Sequence, residues 1–141
     1  MSEAIDYSDL TEQIVNEDPG EVMSAAEGMG DLLGYAQLDD AQASELLNAL
    51  FTAAGKATGD SELLESILNS MNQGLERFGP ECLEVDWTEL LGKVDREETT
   101  VLHQLIPALQ GYEQESVHAF LGEMRNHANG EIKELVSDYY G

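Results

Sequence analysis

The stretch Ser116–Tyr140, SVHAFLGEMRNHANGEIKELVSDYY, decides the fold of this chain. Apolar residues recur at the spacing of one helix face on both sides of a polar break at 126–130. They are Val117, Phe120, Leu121 and Met124 before the break, and Ile132, Leu135, Val136 and Tyr139 after it. The stretch therefore predicts two short amphipathic helices folded back on each other. A pair this short cannot bury its apolar face alone, so it needs neighbours of the same kind.

The same apolar pattern occurs further upstream. Twelve-residue windows beginning at Asp18, Asp60 and Ala128 read DPGEVMSAAEGM, DSELLESILNSM and ANGEIKELVSDY. Their fifth, eighth and ninth positions are apolar and the twelfth is large, and a weaker copy begins at Glu97. These starts match the period of roughly 30–45 residues that helical-hairpin repeats show, although any amphipathic helix can produce such matches.

Capping residues divide the chain into further helices. Asp18, Asp39 and Asp60 are each predicted to begin a long helix, and an opening helix is predicted from about residue 4 to residue 15. Pro107 lies inside a later helix and is expected to kink or split it.

The predicted fold is all-α, with about eight helices in four antiparallel hairpins stacked as a short α-solenoid, in a single domain over residues 1–141. Strand signals are nearly absent. The phase of the pairing stays open, because Leu105–Met124 could itself form one hairpin. Gly28, Gly30 and Gly34 weaken one helix or permit close helix approach. The predicted core includes Leu64, Ile67, Leu68, Phe120 and Leu135.

The charge balance is strongly acidic. Six Lys and Arg residues face 29 Asp and Glu residues, for a formal net charge of −23, while 42% of the residues are hydrophobic. That apolar content is too high for a disordered acidic tail. The charge disfavours nucleic acid and anionic membranes as partners and favours a basic protein. No Lys or Arg precedes Lys56, so the acidity is least compensated in the first third of the chain.

Sequence features that would indicate another compartment or a reactive site are lacking. Cys82 is the one cysteine, flanked by Glu81 and Glu84, so neither a disulfide framework nor an activated thiol is predicted. The N-terminus has no signal-peptide pattern, and no apolar run is long enough to span a membrane. We therefore expect a cytoplasmic protein with no membrane association.

Motifs that carry catalysis or bind cofactors are also missing. Glu115 and His118 form one Glu-x-x-His pair, but helical di-iron sites need this pair twice, with two further glutamates. No calcium loop, phosphate-binding glycine loop or nucleophile elbow is found. The sequence predicts no catalytic, cofactor-binding or metal-binding residues, and hence no enzyme.

Two resemblances follow from these patterns. The segment Phe120–Gly141, and Leu105–Leu109 with its internal proline, resemble the helices of HEAT-type repeats, although the usual arginine of the second helix is absent. In size, acidity and helical repetition the chain also resembles small bacterial immunity proteins, which bind and block polymorphic or contact-dependent toxins that are often basic nucleases.

The resemblance implies a non-catalytic module that inhibits a basic toxin through an acidic face. The alternatives are an acidic helical scaffold or adaptor from a halophilic organism and, more weakly, a ligand-binding helical bundle. The partner-binding residues predicted on the acidic face are Asp31, Tyr35, Asp39, Asp40, Glu62, Glu65 and Trp87. Tyr35 and Trp87 would act as aromatic anchors. The competing interpretation makes Trp87 a core residue and Asp39 only a helix cap.

Overall fold

The computed structural model describes residues 7–140, and every regular element in that range is helical. Eight α-helices follow one another as α1 Ser8–Gln13, α2 Pro19–Tyr35, α3 Asp40–Lys56, α4 Ser61–Phe78, α5 Thr88–Lys93, α6 Thr99–Ala108, α7 Glu115–Met124 and α8 Gly130–Tyr140, with a 3-10 turn at Pro80–Cys82. The all-α prediction is thus confirmed, and the described part of the chain contains the predicted eight helices. The opening helix is shorter than predicted, and residues 4–6 of its predicted span lie outside the described residues.

Side-chain caps begin the three long helices where the sequence indicates. The Asp18 carboxylate accepts a hydrogen bond from the Gly20 amide at 3.1 Å, and the Asp60 carboxylate accepts one from the Leu63 amide at 3.2 Å. Asp39 forms a reciprocal capping box with Gln42, with distances of 2.8 and 2.9 Å. Each cap satisfies backbone donors that a helix N-terminus otherwise leaves free.

Pro107 ends its helix instead of kinking it. It is the next-to-last residue of α6, and the chain then turns through Gly111 at φ 92°. A Cβ atom at Gly111 would lie 2.7 Å from the Pro80 Cγ atom, so both the backbone conformation and the space favour glycine there. The prediction of a kinked or split helix was therefore wrong, because the turn follows too soon for a second segment.

The four repeated sequence windows correspond to α2, α4, α6 and α8, and these helices form one row in which each packs against the next. Between α2 and α4, Gly30 lies against Ser70 and Gly34 lies against Gln73. Contact partners that advance together along both helices show that α2 and α4 run in the same direction.

The direction is kept along the rest of the row. Asn72 on α4 donates to the Gln104 carbonyl on α6 at 2.9 Å, and one turn further along α4, Glu76 lines a pocket with Pro107 of α6. Between α6 and α8, His103 lies 3.8 Å from Glu131, and the Tyr140 hydroxyl donates to the Ile106 carbonyl at 2.6 Å. The helices α3, α5 and α7 lie beside this row, with α5 contacting both α3 and α7. The HEAT-type classification of the stack remains a prediction.

Most of the predicted core residues are buried. Leu64, Ile67, Leu68 and Phe120 belong to the continuous hydrophobic core. Leu135 is only half-buried, so it was assigned too deep a position, and Tyr139 on the same helix is 41% exposed. Among the described residues, the main contacts of α8 are with α6 and α7.

Close packing of α2 on α4 depends on Gly30, as the sequence allowed. A Cβ atom there would lie 2.7 Å from the Ser70 Oγ atom and 3.2 Å from the Ser70 Cα atom. Ser70 is itself buried, so neither residue can move into solvent. The α2–α4 packing distance is therefore set by the absence of a side chain at residue 30.

Replacing Gly30 by alanine should consequently destabilise the fold. We expect Gly30→Ala to lower the free energy of unfolding by ~1–3 kcal/mol, because overpacking forces the backbones apart. Gly55→Ala in α3 is the matched control: a Cβ atom at Gly55 meets nothing within 4 Å, so up to ~1 kcal/mol of stabilisation is expected there. Urea denaturation measures both, and a Gly30→Ala protein as stable as the wild type would contradict the packing described.

Candidate partner-binding surface

Three connecting segments meet at one end of the molecule. They leave the C-terminal ends of α2, α4 and α6 and lead into α3, α5 and α7. Because the three helices run in the same direction, their C-terminal ends lie on the same side. We call residues 36–40, 79–88 and 109–116 the connector end.

Hydrogen bonds hold two of these segments together. The Tyr112 hydroxyl donates to the Leu83 carbonyl at 2.7 Å. The Gln114 amide nitrogen donates to the Val85 carbonyl at 2.5 Å, and its amide oxygen accepts from the Trp87 backbone N–H at 2.9 Å. The Tyr112 and Gln114 side chains of the α6–α7 connector therefore fix it to the α4–α5 connector.

The α2–α3 connector adjoins this pair. Burial is the largest cause of the raised pKa of the Cys82 thiol, and the nearby Asp40 and Glu81 carboxylates add to it. Asp40 therefore lies close to the 3-10 turn that contains Cys82. The 3-10 turn Pro80–Cys82 also packs against α3. The three segments thus form one continuous surface.

The connector end carries charge of one sign only. Seven acidic residues lie in its three segments, all of them exposed, and the same segments contain no Lys, Arg or His. The acidic residues are Asp39, Asp40, Glu81, Glu84, Asp86, Glu113 and Glu115. Carboxylates this crowded repel one another in the free protein and favour a cationic partner.

The basic residues lie outside the three connectors. Lys56, Lys93 and Arg125 stand at or just beyond the C-terminal ends of α3, α5 and α7, the helices that lead away from the connector end. Arg96 lies between α5 and α6, and Lys133 lies in the first turns of α8. The three connectors themselves are purely acidic, whereas Arg125 shares a pocket with Glu113, and Lys56 and Lys93 share one with Asp86.

Arg77 lies close to the second connector, but its side chain is already engaged. It lies in the last turn of α4, where its guanidinium donates to the Leu33 carbonyl at 3.1 Å and stacks 4.9 Å from the centre of the Phe78 ring. The ion pairs among residues 7–140 lie elsewhere, at Lys93–Glu89, Arg96–Glu123 and His103–Glu131. No ion pair with a described residue neutralises the carboxylates of the connector end.

A cleft of about 810 Å³ lies between the second and third connectors. Its lining combines four carboxylates with apolar and neutral polar groups, and it contains no basic residue. The lining residues include Glu81, Glu84, Asp86, Glu115, Leu83, Tyr112 and Ser116. The Thr88 hydroxyl and backbone N–H both donate to Asp86 and hold the pKa of that carboxyl below its usual value.

Trp87 forms the floor beneath this surface. Its ring packs edge-on against Phe51 and Tyr112, with ring centroids 5.1 and 5.3 Å apart. Trp87 Nε1 lies near enough to the Tyr112 hydroxyl to influence the pKa of that phenol, but no hydrogen bond of normal geometry joins them. The aromatic cluster thus supports both connectors from below.

Three tyrosine hydroxyls link separate segments, and each has a raised pKa. Burial is the main cause for Tyr112 and for Tyr140, and it raises the pKa of both well above the ordinary value of 10.0. Burial and the hydrogen bond to Glu45, at 2.8 Å, raise the pKa of Tyr7 to about 12. Each phenol therefore holds its proton more tightly in the folded chain than in the unfolded one.

Stability should consequently fall in alkaline solution. A raised folded-state pKa contributes stability that is complete below about pH 10 and is lost as the pH rises towards the folded-state value. We expect the free energy of unfolding to decrease progressively as the pH rises above about 10, chiefly through Tyr112 and Tyr140, whose burial is the main cause of the raised pKa. Denaturation across this range measures the slope. Tyr112→Phe should make it shallower, whereas a flat profile in the wild type would contradict the assignment.

The seven residues predicted as a partner site do not form one patch. Asp31 and Tyr35 are exposed one helical turn apart near the C-terminal end of α2, and Tyr35 is 85% exposed. Asp39 and Asp40 lie beside them in the connector end, with Asp39 also capping α3. These four residues can act on a common partner.

The other three predicted residues lie elsewhere. Glu62 and Glu65 are in the first turns of α4, and Glu62 lies about 12 Å along the helix axis from Ser70, which faces Gly30. They therefore lie towards the end remote from the connectors. Trp87 is 0% exposed, so its prediction as an exposed anchor was wrong and the core interpretation holds. Its indole packs between α3 and the α6–α7 connector.

Sequence reasoning missed the acids of the second and third connectors. Glu81, Glu84 and Asp86 follow α4, and Glu113 and Glu115 follow α6. Each of these groups comes shortly after the helix that contains one of the repeated windows, just as Asp39 and Asp40 come shortly after α2. The sequence therefore contained a signal for these acids. It predicts a shared surface only once the three helices are known to run in the same direction.

Neither a metal site in the described residues nor a match to a known protein indicates a further function. Within residues 7–140, no three His, Cys, Asp or Glu side chains are grouped as a metal site, and Glu115 and His118 are both exposed. No helix in this range is both long enough and apolar enough to cross a membrane. Comparison of the chain with protein-family models, curated proteins and solved structures gives no significant match.

Proposed function

We propose that this chain is a non-catalytic protein-binding module of the immunity-protein kind, which inhibits a basic toxin domain through its connector end. The observation that carries the proposal is the surface of seven exposed carboxylates without a single Lys, Arg or His in the three connectors. A basic cleft that binds nucleic acid would meet there a comparable density of negative charge. Occupying that cleft would block it without any chemical step.

The distribution of charge over the first three helices supports this proposal. Ten Asp and Glu side chains between residues 7 and 55 are exposed, and the segment contains no Lys or Arg. Such an arrangement destabilises the free protein by self-repulsion, which a basic partner would relieve. The same field would accelerate association by ~10–10³-fold at low ionic strength.

The arrangement of the helices supports it as well. In stacked helical hairpins, successive connectors join into one extended binding strip. The α2–α4–α6–α8 row places three connectors side by side in this manner. Tyr35, exposed beside Asp31 and Asp39, supplies an aromatic residue of the type that dominates interface energetics.

Haloadaptation is the second candidate, because exposed carboxylates without ion pairs are also useful at high salt. It predicts that the fold needs salt, whereas the inhibitor proposal predicts a cooperative thermal transition at low salt. Circular dichroism melts in about 0.05 M and about 1 M NaCl decide between them, since salt at the higher concentration screens charges beyond about 3 Å. An unfolded chain at low salt would support the halophilic scaffold.

A survival assay tests the proposed function itself. The C-terminal domain of a secreted toxin encoded beside this gene would be expressed in bacteria with and without the chain. We expect the chain to restore growth and to co-purify with the toxin domain in a complex that weakens as salt is raised. Growth arrest despite abundant folded chain, with no complex detected, would overturn the proposal.

A further inference from the structure

We infer that Asn129 is a site of spontaneous deamidation, at which the folded chain converts its own side-chain amide to aspartate and isoaspartate. Asn129 lies in the turn between α7 and α8 and directly precedes Gly130, the first residue of α8. It is the only one of the six asparagines that is followed by glycine, and the other five are followed by a residue with a side chain. The inference does not depend on the proposed function.

The reaction is an attack by the backbone nitrogen that follows an asparagine on the carbonyl carbon of its side chain. The Gly130 amide loses its proton to solvent base, its nitrogen forms a bond with Asn129 Cγ, and the bond from Cγ to Nδ2 breaks, so that ammonia leaves with the proton. Water then opens the cyclic succinimide at either carbonyl, which gives aspartate or isoaspartate. Water is the only co-reactant, and no electrons are transferred.

The nucleophile is accessible in the fold. Gly130 is exposed, and its backbone N–H forms no hydrogen bond with a described residue. Glycine also has no Cβ atom to obstruct the rotation that brings its nitrogen to Cγ. In the same turn, the amide that follows Asn126 is already bonded to the Met124 carbonyl at 3.1 Å. Three further asparagines lie inside helices, where the following amides are bonded to the preceding turn: Asn48, Asn69 and Asn72.

The electrophile is polarised by the helix that it caps. Asn129 Oδ1 accepts a hydrogen bond from the Glu131 backbone N–H at 2.8 Å. This donor stabilises the negative charge that develops on Oδ1 during the attack, as the donors of an oxyanion hole do. The positive end of the α8 dipole favours loss of the Gly130 proton. Nδ2, which leaves as ammonia, forms no hydrogen bond with a described residue.

The two products affect α8 differently. Aspartate keeps an oxygen at the capping position, and Asp and Asn cap helices about equally well. Isoaspartate adds a methylene group to the backbone between the Asn129 N–H, which donates to His127 Nδ1 at 2.9 Å, and the capped Glu131 N–H. His127 is itself fixed, because its Nε2 lies 2.7 Å from the Arg96 carbonyl oxygen. The longer backbone therefore loosens the first turn of α8.

The test follows deamidation in the full folded chain and, in parallel, in the same chain unfolded in guanidinium chloride. Both are kept at about pH 8, below the range in which the tyrosines ionise. Peptide mass spectrometry detects the replacement of –NH2 by –OH, and chromatography separates the aspartate and isoaspartate peptides. Gly130→Ala is the blocking variant, because a Cβ atom there meets nothing within 4 Å and the fold is kept. A thermal melt checks that fold, and Asn126 is the internal control.

We expect Asn129 to deamidate in the folded chain within about tenfold of its rate in the unfolded chain, because helix ends open locally at little cost. Gly130→Ala should slow the reaction by about tenfold or more, since a side chain obstructs the attacking nitrogen. Asn126 should stay unmodified over the same period. Hydrogen exchange of the α8 amides should be faster in the isoaspartate fraction and unchanged in the Asn129→Asp variant.

Three results would overturn the assignment of the site. The first is a folded-state rate more than about 100-fold below that of the unfolded chain, which would mean that the cap protects Asn129. The others are equal rates at Asn126 and Asn129, and a folded Gly130→Ala variant that reacts as fast as the wild type. Unchanged α8 exchange in the isoaspartate fraction would contradict the loosening of the helix.

Discussion

Trp87→Ala should reduce the free energy of unfolding by about 3–5 kcal/mol, the usual cost of removing a fully buried large aromatic side chain. Trp87 is 0% exposed and contacts Phe51 from α3 and Tyr112 from the α6–α7 connector. Its loss opens a cavity between elements distant in sequence, so the cost includes both the transfer of the indole and the empty space. The total stability of a domain is about 5–15 kcal/mol, so this loss would greatly increase the unfolded fraction at growth temperature.

Urea denaturation followed by circular dichroism measures this effect, since Trp87 is the only tryptophan and its fluorescence disappears with it. Trp87→Phe should recover a large part of the stability, because a phenyl ring refills the space and removes the unpaired indole N–H. Tyr35→Ala is the exposed aromatic control and should change stability by less than about 0.5 kcal/mol. A comparable loss for Tyr35→Ala and Trp87→Ala would contradict the positions assigned to the two rings.

Leu68→Ala should cost about 2–5 kcal/mol, because α4 lies at the centre of the row and Leu68 is completely buried there. The helices α2, α3 and α6 all pack on α4, so the cavity cannot collapse by moving one neighbour. Leu135→Ala provides a control with the same chemical change in the helix of the last repeated window. Leu135 is half-buried, and its truncation should cost less than half as much.

The comparison of these two leucines is informative because the same chemical change is made in the central helix and in the last helix of the row. A loss below about 1 kcal/mol for Leu68→Ala would mean that α4 is not the central helix of the core. A loss for Leu135→Ala as large as that for Leu68→Ala would mean that α8 has a covering neighbour besides α6 and α7.

The local features of the fold were predictable because they depend on nearby residues. Helix starts depend on hydrogen bonds from capping side chains to amides within a few residues. The structure contains the three predicted caps, at Asp18, Asp39 and Asp60. The repeated windows predicted four equivalent helices, which proved to be the four members of one row. The amphipathic pattern predicted which face of each helix is buried, although it did not identify the neighbouring helices.

Features that depend on the direction and spacing of helices could not be predicted from the sequence pattern. Glu62 and Asp39 look equally suited to one acidic face, yet they lie towards opposite ends because α3 and α4 are antiparallel. Trp87 follows a run of acidic residues and reads as a surface residue, but the fold of the connector places its ring on Phe51. The acids of the second and third connectors became neighbours of Asp40 only when the parallel row brought the three segments together.

The central claim is that the connector end is the surface that binds a basic partner, and charge reversal tests it most directly. The measurement is the dissociation constant of the complex with the toxin domain of the survival assay, for Glu81→Lys with Glu84→Lys and Glu113→Lys, against Glu27→Lys with Glu97→Lys and Glu134→Lys. Both triple variants change the net charge equally at exposed residues. We predict a loss of about 100-fold or more for the connector variant, because like charges juxtaposed in an interface cost several kcal/mol, and a loss below about fivefold for the control. Equal losses would show that the net charge acts diffusely and that the connector end is no binding surface.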